Sequence, residues 1–590
     1  PDGETAADQI EAAPQFDDIS FGRDGVTGRV GYLDRVTPDE TNGSLVYSGP
    51  VISEVSYAPV PLMPGDDVVI TARVTARESD IQEVKLLSVV AFGSVGNGIT
   101  MRDDGEGDDA AAGDGLYTGV ISGRTLFGPK VKAGEMVRWA VTATDVNNGS
   151  SRLPTFLDQE GVEQSPEFFG TVAAATIDTE LPVFEWYTGD ERNSGTRTGA
   201  RASVSYNGNF YDNIFVRARG GATNGQSQKF NFNNAFPCFV DEDLPAVGEL
   251  NLNAQGGDST HLRQPLAFES YTWIGNAACK SFLTVMRLNG KEDRTGVLIE
   301  QVDEDFLERH GFDPLGDLYK MVQRSNLDPV FADTTTGIEK KTGDLSDLST
   351  FASLVEGLDK EDQELKAYMF DSLNLPQVLN YLAMRSITQD ADDVRKNFYV
   401  YNDALDTGEW SIFPWDKDWT FGITGDGGQH LKHPFFADQA HRKDNANQWN
   451  KLYEAIFNDA TTRQMYLRRL RSAMDATLQP SDTPEAELRF ENRVDELFAQ
   501  AEGDVPSSGP RTVKRFFPER RGDLYETYSG LIPSAQEAMP AIQIGDVEFQ
   551  PASGRQDEEF IQLVNKARTA VDVSGWELDG AVKFTFAEGT

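Results

Sequence analysis

Two runs of alternating apolar and polar residues predict strands early in the chain. Val68–Val74 and Val137–Ala143 place apolar side chains at every second position, which is the period of a half-buried strand. Turn-rich segments separate such runs between residues 48 and 175. Short strands punctuated by turns are typical of a β-sandwich of the immunoglobulin or fibronectin kind. We therefore predict such a domain at residues 46–177.

The pattern changes to helical spacing later in the chain. From Val378 to Ile387 apolar residues recur three and four positions apart, after Asn374 as a candidate cap and Pro376 in the first turn. Similar spacing continues from Leu452 to Leu470. Strands followed by helices predict an α+β chain. A basic cluster accompanies this last helix, and in so acidic a chain we interpret it as a solvated helix face; its members are Arg463, Arg468, Arg469 and Arg471.

Short alternating strands return at the end of the chain. Ile542–Phe549 and Phe560–Asn565 precede a VSGWEL stretch that begins at Val573. These residues resemble the lamin-tail domain, an immunoglobulin-like sandwich, and predict its N-terminal part at 541–590. Residues 1–45 resemble the C-terminal part of another such domain. Partial sandwiches leave unpaired edges, so we expect a longer parent protein or one half completing the other.

The segment WSIFPWDKDWTFG, residues 410–422, carries the strongest chemical signal. A strand-like run ends in Asp416 and Asp418, and carboxylates two residues apart can both reach one hard cation. Upstream, Asp392 and Asp393 precede Asn397 and another strand-like run. This order of base and metal ligands is that of protein kinases. The segments predict phosphoryl transfer, although acidic pairs after strands are also common in solvated turns.

A second candidate site precedes these acidic segments. Arg219, Gly220 and Gly221 are followed by the strand-like segment containing Lys229. Paired glycines let backbone N–H groups approach a phosphate, and a lysine supplies a positive charge to it. An ordinary hairpin is the structural alternative.

Several motifs together resemble the CotH kinase family, atypical kinases of secreted and surface proteins. NFYVYND (397–403) and FPWDKDWTFG (413–422) are the most specific, and VRARGG (216–221) adds to them by its position before the acidic motifs. The similarity extends over about residues 178–535. The resemblance implies a two-lobed, atypical protein-kinase-like domain, which we place at 178–540, flanked by the all-β domains. It also implies ATP and Mg²⁺ or Mn²⁺ as cofactors, and a serine hydroxyl of a protein as acceptor.

The resemblance assigns roles to individual residues. Lys229 would hold the nucleotide phosphates with the Arg219–Gly221 loop. Glu300 and Glu269 are the two candidates for a partner of Lys229, and a solvated or structural carboxylate is the alternative for each. Asp392, favoured over Asp393 by its distance of five residues to Asn397, would orient or deprotonate the acceptor. The metal ligands would be Asn397, Asp416 and Asp418.

The strongly negative charge of the chain argues against some classes of binding partner. A formal net charge of −42 argues against nucleic acid or an anionic membrane surface, which both require basic patches. The sequence contains no run of eighteen apolar residues, so it predicts no membrane-spanning helix. The chain opens at Pro1 without a signal peptide, and we expect an extracellular or cell-surface protein whose signal peptide lies outside this chain.

Three smaller features leave alternatives open. Cys238 and Cys279 are either two free buried thiols or, in a secreted chain, a disulfide. The loop from Asp103 to Asp114 is compatible with a calcium site or with a solvated hairpin loop, and its spacing is not that of an EF-hand. Three histidines close in sequence suggest either a zinc site or a flexible loop; they are His430, His433 and His441.

Two rival functions remain at this point. A surface adhesin or scaffold would keep the kinase-like fold without catalysis, although the presence of Lys229, Asn397, Asp416 and Asp418 argues against the loss of catalysis. A hydrolase would need a nucleophile or metal centre, and the chain has no GxSxG motif and only five histidines. We favour the kinase.

Overall fold

The predicted strands and helices fall on elements of the computed structural model. The structure describes residues 10, 20–38, 40–77, 79–126, 128–157, 165–220, 227–244, 246–254, 256–323, 326–328, 337–424, 428–443, 448–538, 540–580 and 582–590, apart from the side chains of 292–293. The chain divides into two units. The first comprises Pro1–Ala254 and Thr284–Leu298, and the second comprises Gln255–Leu283 and Ile299–Thr590.

The first unit contains a β-sandwich where the alternation predicts one. After a small hairpin of β1 (Phe21–Arg23) and β2 (Val30–Tyr32), one sheet has the order β3-β4-β7 and the other the order β11-β10-β5-β6, with β12 also paired to β10. The strands are β3 (Val51–Ala58), β4 (Val68–Thr75), β5 (Ile81–Val90), β6 (Ile99–Thr100), β7 (Leu116–Ile121), β8 (Arg124–Thr125), β9 (Gly128–Pro129), β10 (Met136–Asp145), β11 (Ser150–Leu153) and β12 (Phe169–Val172), with β8 and β9 forming a separate pair.

One apolar core joins the two sheets of the sandwich. Ile70 of β4, Leu86 of β5 and Trp139 of β10 are all buried in it. Strand β4 alternates between buried and half-buried positions along most of its length, because successive side chains of a strand point to opposite faces. The structure thus has two sheets packed on a common core, and the assignment of residues 46–177 to a sandwich of the immunoglobulin or fibronectin kind stays a prediction.

A closed barrel follows the sandwich, with the strand order β13-β14-β15-β16-β17-β19-β18. Its elements are β13 (Val183–Tyr187), α1 (Glu191–Ser194), β14 (Ala200–Tyr206), β15 (Asn209–Ala218), β16 (Gln228–Asn231), β17 (Glu249–Asn253), β18 (Ser281–Leu288) and β19 (Lys291–Glu300). The parallel pair β13–β18 closes the barrel. Phe230 is fully buried, with its ring centroid 4.9 Å from that of Phe184 and 5.6 Å from that of Trp186.

The second unit combines helices with a four-stranded sheet of order β21-β20-β22-β23. Its elements are α2 (Arg263–Thr272), α3 (Glu304–Arg309), β20 (Asp317–Met321), β21 (Ile338–Lys340), α4 (Ser349–Leu358), α5 (Asp362–Ser372), α6 (Leu375–Thr388), β22 (Phe398–Asn402), β23 (Trp410–Pro414), α7 (Lys451–Asn458), α8 (Ala460–Ala473), α9 (Arg489–Gln500), α10 (Gly509–Lys514) and α11 (Phe516–Arg521). Asn374 caps α6 through Gln377 N–H, as predicted. Every residue of β22 and β23 is buried.

The basic cluster on α8 is not the solvated helix face that the sequence predicted. Arg468 and Arg469 are 7% and 5% exposed, so they do not form a solvated face. The Arg469 guanidinium donates to Asp572 at 3.1 Å and to Glu588 at 3.0 Å, both in the C-terminal segment. Buried lysine and arginine side chains are usually paired with a carboxylate or hydrogen-bonded. The amphipathic spacing of α8 did not indicate that an acidic segment about a hundred residues later would cover it.

The C-terminal residues form two strand pairs, β24 (Ile542–Glu548) with β25 (Phe560–Asn565) and β26 (Glu577–Leu578) with β27 (Phe584–Thr585). These strands lie where the alternation predicts them. Their assignment to a lamin-tail domain, and that of residues 1–45, stay predictions. Of the helices that the structure describes, none is long and apolar enough to cross a membrane.

Candidate active site

The hairpin of β22 and β23 brings the two acidic segments of the sequence together. Phe398 pairs with Pro414 in this antiparallel ladder, so the residue before β22 lies beside the residue after β23. Trp415 N–H donates accordingly to the Asn397 carbonyl at 3.2 Å. Asn397 and Asp416 both adopt left-handed backbone conformations, with φ of 63° and 56°. Such strain, which costs non-glycine residues energy, is concentrated at functional sites.

Asp392 is positioned by its own loop. The Asn397 amide donates to the Asp392 carboxylate at 3.0 Å, and the Lys396 ammonium lies 2.8 Å from it. The Asp392 side chain keeps 28% of its surface exposed. Burial raises the pKa of this carboxyl, and the charge of Asp416 adds to the rise, whereas Lys396 opposes it. A carboxylate that is accessible, oriented and more basic than usual is suited to accept a proton.

Asp393 has a different role from its neighbour. Its side chain is fully buried and accepts from Arg385 Nε at 2.5 Å and from the Tyr381 hydroxyl at 3.0 Å. The Arg385 guanidinium also lies 3.5 Å from the centroid of the Phe436 ring. Asp393 is therefore an internal counter-ion that anchors the loop, and its inclusion among the candidate catalytic residues was wrong. Asp392 and Asp393 lie in an irregular segment and have different surroundings. Their spacing to Asn397 did not indicate which of the two side chains is buried.

Asp416 and Asp418 lie in one acidic group with residues from two other segments. Burial, together with the charges of Asp416, Asp258, Asp392 and Asp390, raises the pKa of Asp418 to about 8. Like charges that approach one another disfavour ionisation. Gly257 is the close neighbour of this segment, since a Cβ there would stand 2.9 Å from the Asp418 carboxylate and 2.6 Å from Trp419 Nε1.

Lys417, between these two aspartates, was missed by sequence reasoning. Its side chain is fully buried, and its ammonium lies 2.6 Å from the Asp390 carboxylate and donates to the Asn397 carbonyl at 3.0 Å. Asp390 in turn accepts from the Asp392 N–H at 3.2 Å. Lys417 thereby ties the segment of Asp416 to the loop of Asp392. No sequence signal indicated this role, because Lys417 lies three residues after β23 and between two aspartates, where a solvated lysine is the usual expectation.

Asp258 is a second residue whose place in this group was not foreseen. It is fully buried and accepts from the N–H groups of Thr260 and Arg263, at 2.9 and 3.0 Å, and from the Arg263 guanidinium at 2.5 Å. The Arg263 N–H that it binds belongs to the first residue of α2, whose N-cap position is occupied by Leu262. The charge of Asp258 is already balanced by Arg263, so we regard it as a structural member of the acidic group.

The predicted metal ligands fit a hard divalent cation. The Asn397 amide nitrogen donates to Asp392, which leaves the amide oxygen as the acceptor atom of that side chain. Carboxylate and amide oxygens are the ligands that Mg²⁺ prefers. The repulsion between neighbouring carboxylates contributes to the raised pKa of Asp418. A bound cation would attract these carboxylates and so offset that repulsion. Within the described residues, no three His, Cys, Asp or Glu side chains form a metal cluster, and the set we consider includes an asparagine.

Lys229 lies in the first unit, on β16, and its partner differs from both sequence candidates. Its ammonium forms an ion pair with Glu249 of the adjacent strand β17. Glu300 binds Arg309, with 2.8 Å between Nε and Oε1, and Glu269 binds Arg493 at 2.6 Å. The expectation of a Lys229 pair with Glu300 or Glu269 was therefore wrong. The strand register places Glu249 diagonally from Lys229, and this register could not be read from sequence spacing.

The glycine loop before Lys229 is only partly described. Arg219 N–H donates to the Ser227 carbonyl at 2.8 Å. Gly220 is exposed, has a φ of 71°, and its carbonyl accepts from Arg197 at 2.8 Å. Gly221 lies outside the described residues. The nucleotide-binding role of this loop stays a prediction.

Local geometry bears on the alternatives for the two cysteines and for the loop from Asp103 to Asp114. Cys238 and Cys279 are free and buried, which agrees with the first of the two interpretations. In the candidate calcium loop, the Asp103 carboxylate accepts from the N–H groups of Gly113 and Gly115 at 2.6 and 3.0 Å. This use of the carboxylate favours the hairpin interpretation over calcium.

The histidines also favour the loop interpretation. The rings of His433 and His441 stack with centroids 3.7 Å apart. His433 Nδ1 accepts from Phe435 N–H at 3.0 Å, and His441 Nδ1 lies 2.9 Å from Asp438. These nitrogens are engaged in local bonds, which gives no support to a zinc hydrolase.

Comparison with known proteins identifies the family. Residues 216–513 match the model of the CotH kinase protein family, which is just over half of the 590 residues. The chain therefore belongs to the CotH kinase family, a class of kinase-like proteins. The match lies inside the predicted domain at 178–540.

Two individual proteins are more distantly similar. The inner spore coat protein H of Bacillus subtilis (strain 168) is 24% identical over 182 residues, covering 30% of this chain and 50% of that protein. The chain thus spans about half the length of this curated relative. The proinflammatory kinase CtkA of Helicobacter pylori aligns over 47% of this chain and 87% of its own, with 10% identity and a TM-score of 0.26. That score is too low to support an inference about the fold.

Proposed function

We propose that this protein is a secreted or surface kinase that transfers phosphate from ATP to a serine hydroxyl of a protein, with Mg²⁺ or Mn²⁺. The observation that carries the proposal is the arrangement of Asp392, held by Asn397 and Lys396, next to the carboxylates of Asp416 and Asp418. Family membership supports the same reaction. The acceptor residue and the location outside the cell are inferred from the family resemblance.

Each residue has a task in this proposal. Asn397, Asp416 and Asp418 would hold the divalent metal, which when bound neutralises phosphate charge. Asp392 accepts the proton of the acceptor hydroxyl at its carboxylate, whose pKa burial has raised. Lys396 and Asn397 keep that carboxylate oriented. Lys229 would supply positive charge to the nucleotide phosphates. Its ammonium would either leave the ion pair with Glu249 or bind Glu249 and phosphate together. Positioning and charge account for most of the rate in such reactions.

Nucleotide binding and transfer are tested together. We expect ATP with Mg²⁺ or Mn²⁺ to raise the thermal midpoint, because a ligand bound only to the native state stabilises it. Lys229→Ala is expected to weaken this shift. Asp392→Asn is expected to retain the shift but to lower the transfer rate to mixed serine peptides by about 10²–10⁴-fold, the usual contribution of a general base.

A matched control is Asp104→Asn, an acidic residue of the sandwich loop, which we expect to leave both measurements unchanged. If neither metal gives an ATP-dependent shift, the kinase proposal fails and the chain is better interpreted as an inactive surface scaffold. If the shift occurs but Asp392→Asn transfers phosphate at the wild-type rate, Asp392 is not the base.

A further inference from the structure

A cavity of about 290 Å³ lies beside the candidate base in the second unit. Asp392 and Trp419 form part of its wall, Phe436 contributes an apolar surface, and His430, Arg442 and Lys443 contribute polar and basic groups. Pockets for drug-sized ligands usually measure about 300–1,000 Å³. The cavity is therefore of a size for one or two amino-acid side chains.

Arg442 differs from other basic residues of this unit in its ion pairing. The chain has 95 acidic and 53 basic residues, and neighbouring cations are paired: Lys432 lies 2.6 Å from Glu519, and Lys451 lies 3.0 Å from Asp359. Within the described part of the chain, no carboxylate lies within ion-pair distance of the Arg442 guanidinium, which is only partly exposed. A half-buried arginine that has no carboxylate within ion-pair distance among the described residues is suited to an anionic ligand.

We propose that this cavity binds the acceptor segment, and that the acceptor hydroxyl has acidic neighbours which Arg442 and Lys443 bind. The inference rests on the proposed function, because it takes Asp392 as the group that receives the hydroxyl proton. Whatever occupies a cavity walled by Asp392 places its own groups next to that carboxylate. The apolar surface of Phe436 contacts the acceptor side chain, while the two basic residues select its anionic flank.

Peptide binding tests the proposal without ATP. Three fluorescein-labelled peptides share a central serine and differ only in flanking Glu, Gln or Lys, and their affinity for the full chain is measured by fluorescence anisotropy. We expect the Glu-flanked peptide to bind at least about 10-fold more tightly than the Lys-flanked one, with a difference that decreases as salt screens the charges. Equal affinities, or tighter binding of the Lys-flanked peptide, would overturn the proposal.

Charge reversal locates the effect. Arg442→Glu with Lys443→Glu is expected to abolish or invert the preference, whereas Lys566→Glu with Arg568→Glu, two exposed residues of the C-terminal segment, changes the net charge equally and is expected to leave it intact. Equal loss in both variants would mean a non-specific effect of net charge and would refute the site. If the double reversal fails to fold, Arg442→Gln, which keeps a polar side chain, is expected to weaken the preference.

Kinetics separate this inference from the kinase proposal. In an active enzyme the reversal should raise KM for the Glu-flanked peptide about 10-fold, with KM for ATP unchanged. Selective peptide binding without any phosphate transfer would refute the kinase proposal and leave the binding site standing. Transfer to all three peptides with equal KM would support the kinase proposal and refute the proposed binding site for an acidic acceptor segment.

Discussion

Two aspartate-rich segments of this protein look alike in sequence and differ in structure. In the sandwich loop, Asp103 directs its carboxylate at backbone N–H groups, and Asp109 accepts from Gly105 N–H at 2.6 Å. Around the β22–β23 hairpin, burial and neighbouring carboxylates instead raise the pKa of Asp418 and that of Asp392. The carboxylates of the first set are satisfied by N–H groups of their own loop. In the second set the pKa of Asp418 is raised even though Asp390, Asp392 and Asp258 each have a basic partner. This raised pKa, rather than the density of aspartates, is the reason why we propose cation and phosphate chemistry there.

The largest expected effect comes from removing one carboxylate of the second set. Asp416→Asn should lower the rate of phosphate transfer by about 10³-fold or more, because metal-ion charge stabilisation contributes several kcal/mol. The fold should be retained, since the change relieves repulsion. Transfer rates and the Mg²⁺-dependent thermal shift measure the two effects. Unchanged turnover would remove Asp416 from the metal site.

Removing the internal cation of the second set should affect stability. Lys417→Met leaves Asp390 buried without its partner, and breaking a buried pair in this way costs about 3–5 kcal/mol. Differential scanning calorimetry should show a lower midpoint, and adding Asp390→Asn should restore part of it. A Lys417→Met protein as stable as the wild type would show that Asp390 is neutral in the folded protein.

The smallest effect is expected in the sandwich loop. Asp103→Asn weakens charge-assisted hydrogen bonds to backbone N–H groups, which should cost about 1–2 kcal/mol of stability. Phosphate transfer and its metal dependence should remain at wild-type levels. A loss of activity in this variant, assayed beside Asp416→Asn, would erase the distinction between the two acidic segments.

Much of the architecture was predictable because local patterns reflect local physics. Alternation at Val68–Val74 indicated a strand whose buried face lies in the sandwich core. The Asn374 cap and Pro376 indicated the start of α6. The acidic motif indicated the segments that meet at the β22–β23 hairpin, since strand and turn signals lie within a few residues of one another.

The sequence by itself thus determined the elements, the family resemblance and the identity of the acidic segments. Tertiary structure decided which of two adjacent aspartates faces a cavity and which is buried, that Lys229 pairs with Glu249, and that Arg469 is covered by Asp572 and Glu588. Lys417 joins two segments about twenty residues apart. Such pairings depend on strand register and on contacts between distant segments, and the free energy of a buried charge depends on those contacts rather than on its neighbours in sequence.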